Sequence, residues 1–253
     1  MTTNAVVADA PATPRVAIVT GGSGGIGRAT ALRLAADGMA VVVHYSGNKE
    51  KAEETVKAIT AAGGNAVAMW ADITDEAPVD ELFENVEQLF GGVDVVAHTA
   101  GIQLRAPLAE TSVADFDRQH RTNVRGTFLV SRQAARRLRR GGALITCSTT
   151  TTRLQLPKYG SYIASKAAVE AMTLVLAREL HGRDITVNAI APGATATPLF
   201  LEDKSPERLQ QIADMSPLRR LGEPEDIAEC VAFLAGPGRW VNGQVLFVNG
   251  GMA

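Results

Sequence analysis

Arg15-Val16-Ala17-Ile18-Val19-Thr20, followed at once by Gly21-Gly22-Ser23-Gly24-Gly25-Ile26-Gly27, decides how this 253-residue chain is read. The first stretch is an apolar, β-branched run of the kind that forms a buried strand. The second is a glycine-rich turn that opens a helical pattern. Glycines there let backbone N–H groups approach a pyrophosphate, and the helix N-terminus adds positive potential. A glycine-rich turn alone is weak evidence. Its place between a first strand and a first helix makes it a candidate nucleotide cradle.

The same alternation runs to the end of the chain. Strands are expected at Arg15–Thr20, Ala40–Tyr45, Ala66–Trp70, Val93–Ala97, Ala143–Ser148, Thr186–Ile190 and Gln244–Val248. Helices are expected at Gly25–Asp37, Lys49–Ala62, Pro78–Phe90, Val113–Arg140, Tyr159–His181 and Glu223–Leu234. This order predicts an α/β fold, a single doubly wound Rossmann domain over 15–253 with a seven-stranded parallel sheet and helices on both faces. Residues 1–14 have neither a basic region nor an apolar core and read as a flexible tail. The longest break, Ala191–Pro217, carries four prolines and follows the sixth strand, where a substrate loop belongs.

Composition narrows the partners. A formal net charge of -2 gives no basic footprint, so nucleic acid is not expected. No apolar run approaches the roughly 20 residues of a membrane span. Cys147 and Cys230 lie in apolar runs and read as buried free thiols, which fits a cytoplasmic protein. The basic run Arg136-Arg137-Leu138-Arg139-Arg140 reads as a solvated helix end.

Thr20, Gly21, Gly25 and Gly27 follow the spacing T-G-x-x-x-G-x-G, and further motifs come in order. They are Trp70-Ala71-Asp72-Ile73, Ala100-Gly101, Thr122-Asn123-Val124-Arg125-Gly126, Tyr162-Ile163-Ala164-Ser165-Lys166 and Pro192-Gly193-Ala194-Thr195-Ala196-Thr197. Together, from about residue 15 to 251, they resemble the short-chain dehydrogenase/reductase family. Ser216–Gly222 and Val241–Gly251 are most similar to 3-oxoacyl-carrier-protein reductases and polyhydroxynaphthalene reductases.

The resemblance implies an oxidoreductase that moves a hydride between a nicotinamide cofactor and a carbonyl or secondary alcohol, as a homotetramer acting on a small molecule. It implies that Gly21, Ser23, Gly24, Gly25, Ile26, Gly27, Ala100 and Gly101 line the cofactor and that Asp72 and Ile73 meet the adenine. By the same resemblance Pro192, Gly193, Thr195 and Thr197 receive the nicotinamide amide, Asn123 holds a water in a proton relay, and Lys166 binds the ribose. His98-Thr99 stands where the family has Asn-Asn. His98 is read as a hydrogen-bonding substitute rather than a catalyst.

Tyr162 and Lys166, four residues apart on a helix, share one face. The ammonium, aided by an oxidised nicotinamide ring, is expected to lower the phenol from its usual pKa of about 10, fitting Tyr162 for proton transfer. A second hydroxyl must hold the substrate oxygen, and Ser148 and Thr149 end the fifth strand. Thr149 is preferred, because choosing Ser148 implies a one-residue slip inside a strand, which would turn every side chain to the other face.

Tyr45 closes strand two, where NAD-selective enzymes carry an acid. With Ser46 and Asn48 in the following turn, this favours NADP(H) over NAD(H). The helix Tyr159–His181, apolar on more than one side, supports an oligomer. Two other readings compete. An epimerase or dehydratase on this fold would carry a longer C-terminal domain and another glycine spacing, and a non-catalytic NAD(P)-binding regulator would lack Tyr162 or Lys166.

Overall fold

A computed structural model of the protein describes residues 14–202 and 204–253. The expected tail lies outside the described residues except for Pro14. Seven strands form one sheet: β1 (Val16–Thr20), β2 (Ala40–Tyr45), β3 (Asn65–Trp70), β4 (Val93–His98), β5 (Leu138–Cys147), β6 (Thr186–Pro192) and β7 (Val245–Val248). Every pairing is parallel and the order is β3-β2-β1-β4-β5-β6-β7.

The helices are α1 (Gly25–Ala36), α2 (Lys49–Ala61), α3 (Glu76–Phe90), α4 (Val113–His120), α5 (Gly126–Arg137), α6 (Thr151–Leu154), α7 (Gly160–Glu179), α8 (Pro198–Leu201), α9 (Pro206–Ala213) and α10 (Pro224–Ala235). One apolar core joins Ile18, Val42, Phe83, Leu129 and Leu144 beneath α3, α5 and α7. The other joins Val19, Leu34, Val43, Ile145 and Val231 beneath α1, α2 and α10. Burial on both faces explains why the central strands are continuous apolar runs. The chain reverses direction across the sheet between β1 and β4, so their loops open a crevice at the carboxyl ends.

Four expectations are corrected. Val113–Arg140 is not one helix: a π turn at Arg121–Arg125 separates α4 from α5, and β5 begins at Leu138. The basic run therefore crosses from helix to strand rather than ending a helix in solvent. Arg137 pairs with Glu84 and Glu87, and Arg139 with Asp94. Ala191–Pro217 holds α8 and α9, each with proline in its first turn, where a missing N–H costs nothing. Cys147 and Cys230 are free as expected, but half-buried rather than buried.

Candidate active site

The glycine turn after β1 is shaped by close approach. Gly21 has φ +68°, and a Cβ on Gly27 would stand 2.2 Å from the Gly21 carbonyl oxygen. Helix α1 starts from Gly24 with no side-chain cap and no acid in its first turn. By contrast, Asn48, Ser112, Thr197 and Ser205 cap α2, α4, α8 and α9. The α1 N–H groups, flanked by Ser23 and Ile26, are thus left to an outside anion. Nothing lies within 4 Å of where a Cβ on Gly24 would be. This cradle fits the pyrophosphate of a dinucleotide.

At one end of the cradle, β2 and β3 finish side by side at Tyr45 and Trp70. The Trp70 indole N–H donates to the Ser46 carbonyl at 3.1 Å, and the Asn48 Oδ1 accepts from the Lys51 N–H at 2.8 Å. Asp72 Oδ1 accepts from the Thr74 N–H at 2.9 Å. Tyr45, Ser46, Asn48 and Asp72 therefore share one rim, suited to an adenosine. Ile73 differs: its side chain is buried in the core, where a Cβ on Gly126 would touch it at 2.9 Å. Only its backbone is left for a ligand.

The other end is built from β4, β5, β6 and α7. A Cβ on Gly101 would lie 3.0 Å from Asn123 Oδ1 and 3.2 Å from Lys166 Nζ, so Ala100-Gly101, Asn123 and Lys166 come together. A Cβ on Gly25 would lie 3.1 Å from Thr197 Cγ2, which brings the segment after β6 over the glycine turn. There Gly193 N–H donates to Val248, and Thr195 Oγ1 donates to Gly193. Pro192 ends β6 beneath them.

Asn123 sits in the π turn with its side-chain amide tied to the loop after β4 and to α7. Its Nδ2 donates to the Ile102 carbonyl and Ser165 Oγ, and its Oδ1 accepts from the Ile102 N–H. The Asn123 carbonyl accepts from Thr127 Oγ1 at 2.6 Å.

Tyr162 and Lys166 are both buried on successive turns of α7. Lys166 Nζ donates to the Cys147 carbonyl at 2.7 Å and lies 5.9 Å from the Tyr162 ring centre. Burial raises the Tyr162 pKa, against opposing hydrogen bonds from Thr149 and Gln103. Burial likewise pulls Lys166 below the usual lysine value. Without a bound cofactor, desolvation outweighs the Lys166 ammonium, which is turned to the Cys147 carbonyl. Tyr162 is held protonated at neutral pH, the state a proton donor needs.

The two candidate hydroxyls separate clearly. Ser148 Oγ donates to Glu170 Oε1 at 2.5 Å, whereas Thr149 faces the Tyr162 phenol. Sequence reading missed two residues here. Gln103 faces the phenol from the loop after β4, and Glu170 binds Ser148 from α7. Neither belongs to a motif. Only Glu170 carried a signal, since it continues the four-residue spacing of Tyr162 and Lys166.

A family model described as Enoyl-(Acyl carrier protein) reductase matches residues 21–253. The chain is a short-chain dehydrogenase/reductase. It is an NAD(P)-dependent oxidoreductase whose chemistry is carbonyl reduction. A short-chain type dehydrogenase/reductase of Picea abies is 45% identical over 94% of this chain and 92% of its own. An NADPH-dependent aldehyde reductase-like protein, chloroplastic, of Arabidopsis thaliana is 42% identical over 95% of each chain. The crystal structure of a short chain dehydrogenase from Burkholderia cenocepacia J2315 in complex with NADP superposes with a TM-score of 0.89. It is 38% identical, covering 94% of this chain and 97% of its own.

Two buried histidines brace this reductase's cofactor turn. Thr127 Oγ1 donates to the Asn123 carbonyl, so its 3.0 Å contact with His98 is filled by Nε2–H. His98 Nδ1 then accepts from Thr20 Oγ1 at 2.8 Å, and Thr20 accepts from the Ala100 N–H. His98 thereby links β1 to the π turn as a neutral hydrogen-bonding residue. His44 similarly accepts the Gly21 N–H on Nδ1 and presents Nε2 to the Ala71 carbonyl.

Burial lowers His98 to about 3, with help from the Lys166 charge, and lowers His44 to about 4. Unfolded histidine titrates near 6.5. The unfolded chain therefore binds more protons below that value, and stability falls as pH drops from about 6.5 towards 4. The pair is worth a loss of roughly 4 kcal/mol between pH 7 and pH 5. Thermal melts at the two pH values check this. His98→Asn should remove about half of the slope, and an unchanged slope would contradict the assignment.

Proposed function

We propose that this short-chain dehydrogenase/reductase uses NADPH to reduce an aldehyde or ketone, with Tyr162 as the proton donor. The bound nicotinamide supplies the hydride. Thr149 donates a hydrogen bond to the carbonyl oxygen as charge develops on it, and Tyr162 protonates that oxygen. Lys166 holds the ribose beside Tyr162, and Asn123 holds a relay water. The observation that carries this reading is the Tyr162 phenol, buried beside Lys166, with Thr149 and Gln103 facing its oxygen.

The β2 end supports the cofactor choice, because Tyr45 leaves no carboxylate to repel a 2′-phosphate. The names of the Arabidopsis relative and the Burkholderia complex point the same way. Catalytic efficiency with NADPH and NADH against a panel of aldehydes, cyclic ketones and 3-oxoacyl thioesters tests both parts. NADPH should be favoured by roughly tenfold or more, a difference of about 1.4 kcal/mol, and a preference for NADH would reverse the cofactor assignment.

A homotetramer in the cytoplasm completes the proposal. Phe116 on α4, Phe128 on α5, and Leu174 and Val175 on α7 are exposed, an apolar surface suited to a second subunit. Light scattering at micromolar concentration should give four times the chain mass, and a monomer would overturn the oligomer. The two free cysteines agree with a reducing compartment. No helix among the described residues is long and apolar enough to cross a membrane.

A further inference from the structure

Glu170 stands one turn beyond Lys166 on α7, on the face that carries Tyr162. It is half-buried, and no salt bridge holds it among the described residues. Its oxygen Oε1 instead accepts from Ser148 Oγ at 2.5 Å and lies 3.1 Å from Thr152 Oγ1, both on the segment after β5. These two residues flank Thr149. The single Thr152 hydroxyl proton is shared between Glu170 and the Thr149 carbonyl, which lies 2.9 Å from Oγ1 and also accepts the Thr152 N–H at 3.3 Å. Thr149 Oγ1 in turn meets the Thr151 N–H at 3.3 Å and Thr151 Oγ1 at 3.1 Å.

We propose that Glu170 is a positioning residue that fixes the Thr149 hydroxyl against the Tyr162 phenol by tying the Thr149 segment to the helix that carries Tyr162. Charge-assisted hydrogen bonds are about twice as strong as neutral ones, so a carboxylate is a firm acceptor for the Ser148 hydroxyl. The placement matters because a misplacement of about 1 Å in a reacting group can cost 10²-fold in rate. The Ser148 hydroxyl then anchors the segment while Thr149 meets the substrate.

The inference rests on the assignment of Thr149, so the test must separate the two. Glu170→Ala, Glu170→Gln and Ser148→Ala are compared by kcat and by KM for NADPH, each alone and in a Thr149→Val background. Glu170→Ala should lower kcat by about tenfold with KM for NADPH unchanged. Glu170→Gln, whose amide oxygen still accepts from Ser148, should recover most of the loss. Ser148→Ala should fall by the same factor as Glu170→Ala. In the Thr149→Val background neither Glu170→Ala nor Ser148→Ala should lower kcat further.

A Thr149→Val enzyme with wild-type kcat would remove Thr149 from the reaction and the proposal with it. A Thr149→Val enzyme that is impaired, combined with a Glu170→Ala loss that simply multiplies it, overturns the positioning role alone. An unchanged kcat in Glu170→Ala does the same. Should Glu170→Ala not fold, Glu170→Gln and Ser148→Ala carry the comparison.

Discussion

Tyr162→Phe should cut turnover by roughly 10²–10⁴-fold, the usual worth of a positioned general acid. The ring that fills the site stays, and only the proton leaves. Tyr162, on α7, is almost wholly buried, so no outside water can readily take over the donation. Binding of NADPH should be nearly unchanged, because the ribose contacts are assigned to Lys166 in the proposed mechanism. Lys166→Ala should harm binding and rate together, since it removes the proposed ribose ligand and a cation near the phenol. Fluorescence titration of NADPH and steady-state rates on the same samples separate the two. A Tyr162→Phe enzyme that keeps a tenth of the wild-type rate has some other acid.

Thr149→Val is the second large effect, roughly 10²–10³-fold in kcat, as for loss of an oxyanion hydrogen-bond donor. Valine keeps the branched shape and removes only the hydroxyl. Ser148→Ala should cost about tenfold, because that hydroxyl donates to Glu170 and not to the substrate. The reverse ranking would hand the role to Ser148. Rates for both variants at saturating NADPH decide it.

The central sheet was legible because strands covered on both faces must be apolar throughout, and β1, β2 and β4 are nearly so. The break at Arg121–Arg125 was not legible, since a π turn keeps helical composition and adds only one residue to the turn. The start of β5 was hidden for a different reason. Arg139 and Arg140 look foreign to a strand, and only the fold brings Asp94 to Arg139.

Prolines 198 and 206 argued for irregular chain but instead open α8 and α9. At the site, the spacing of Tyr162 and Lys166 was read correctly because one helix carries both. The roles of Glu170, Gln103 and His98 depend on partners far away in sequence, such as Ser148, Tyr162 and Thr20. Periodicity carries no such information.

The central claim is hydride transfer to a carbonyl, and reduced cofactor deuterated at its transferable nicotinamide position tests it most directly. With an aldehyde as acceptor, mass spectrometry of the product should find one deuterium on the former carbonyl carbon for each NADPH oxidised. Alcohol formed without the label, or NADPH bound yet never oxidised by any aldehyde or ketone, would contradict the account.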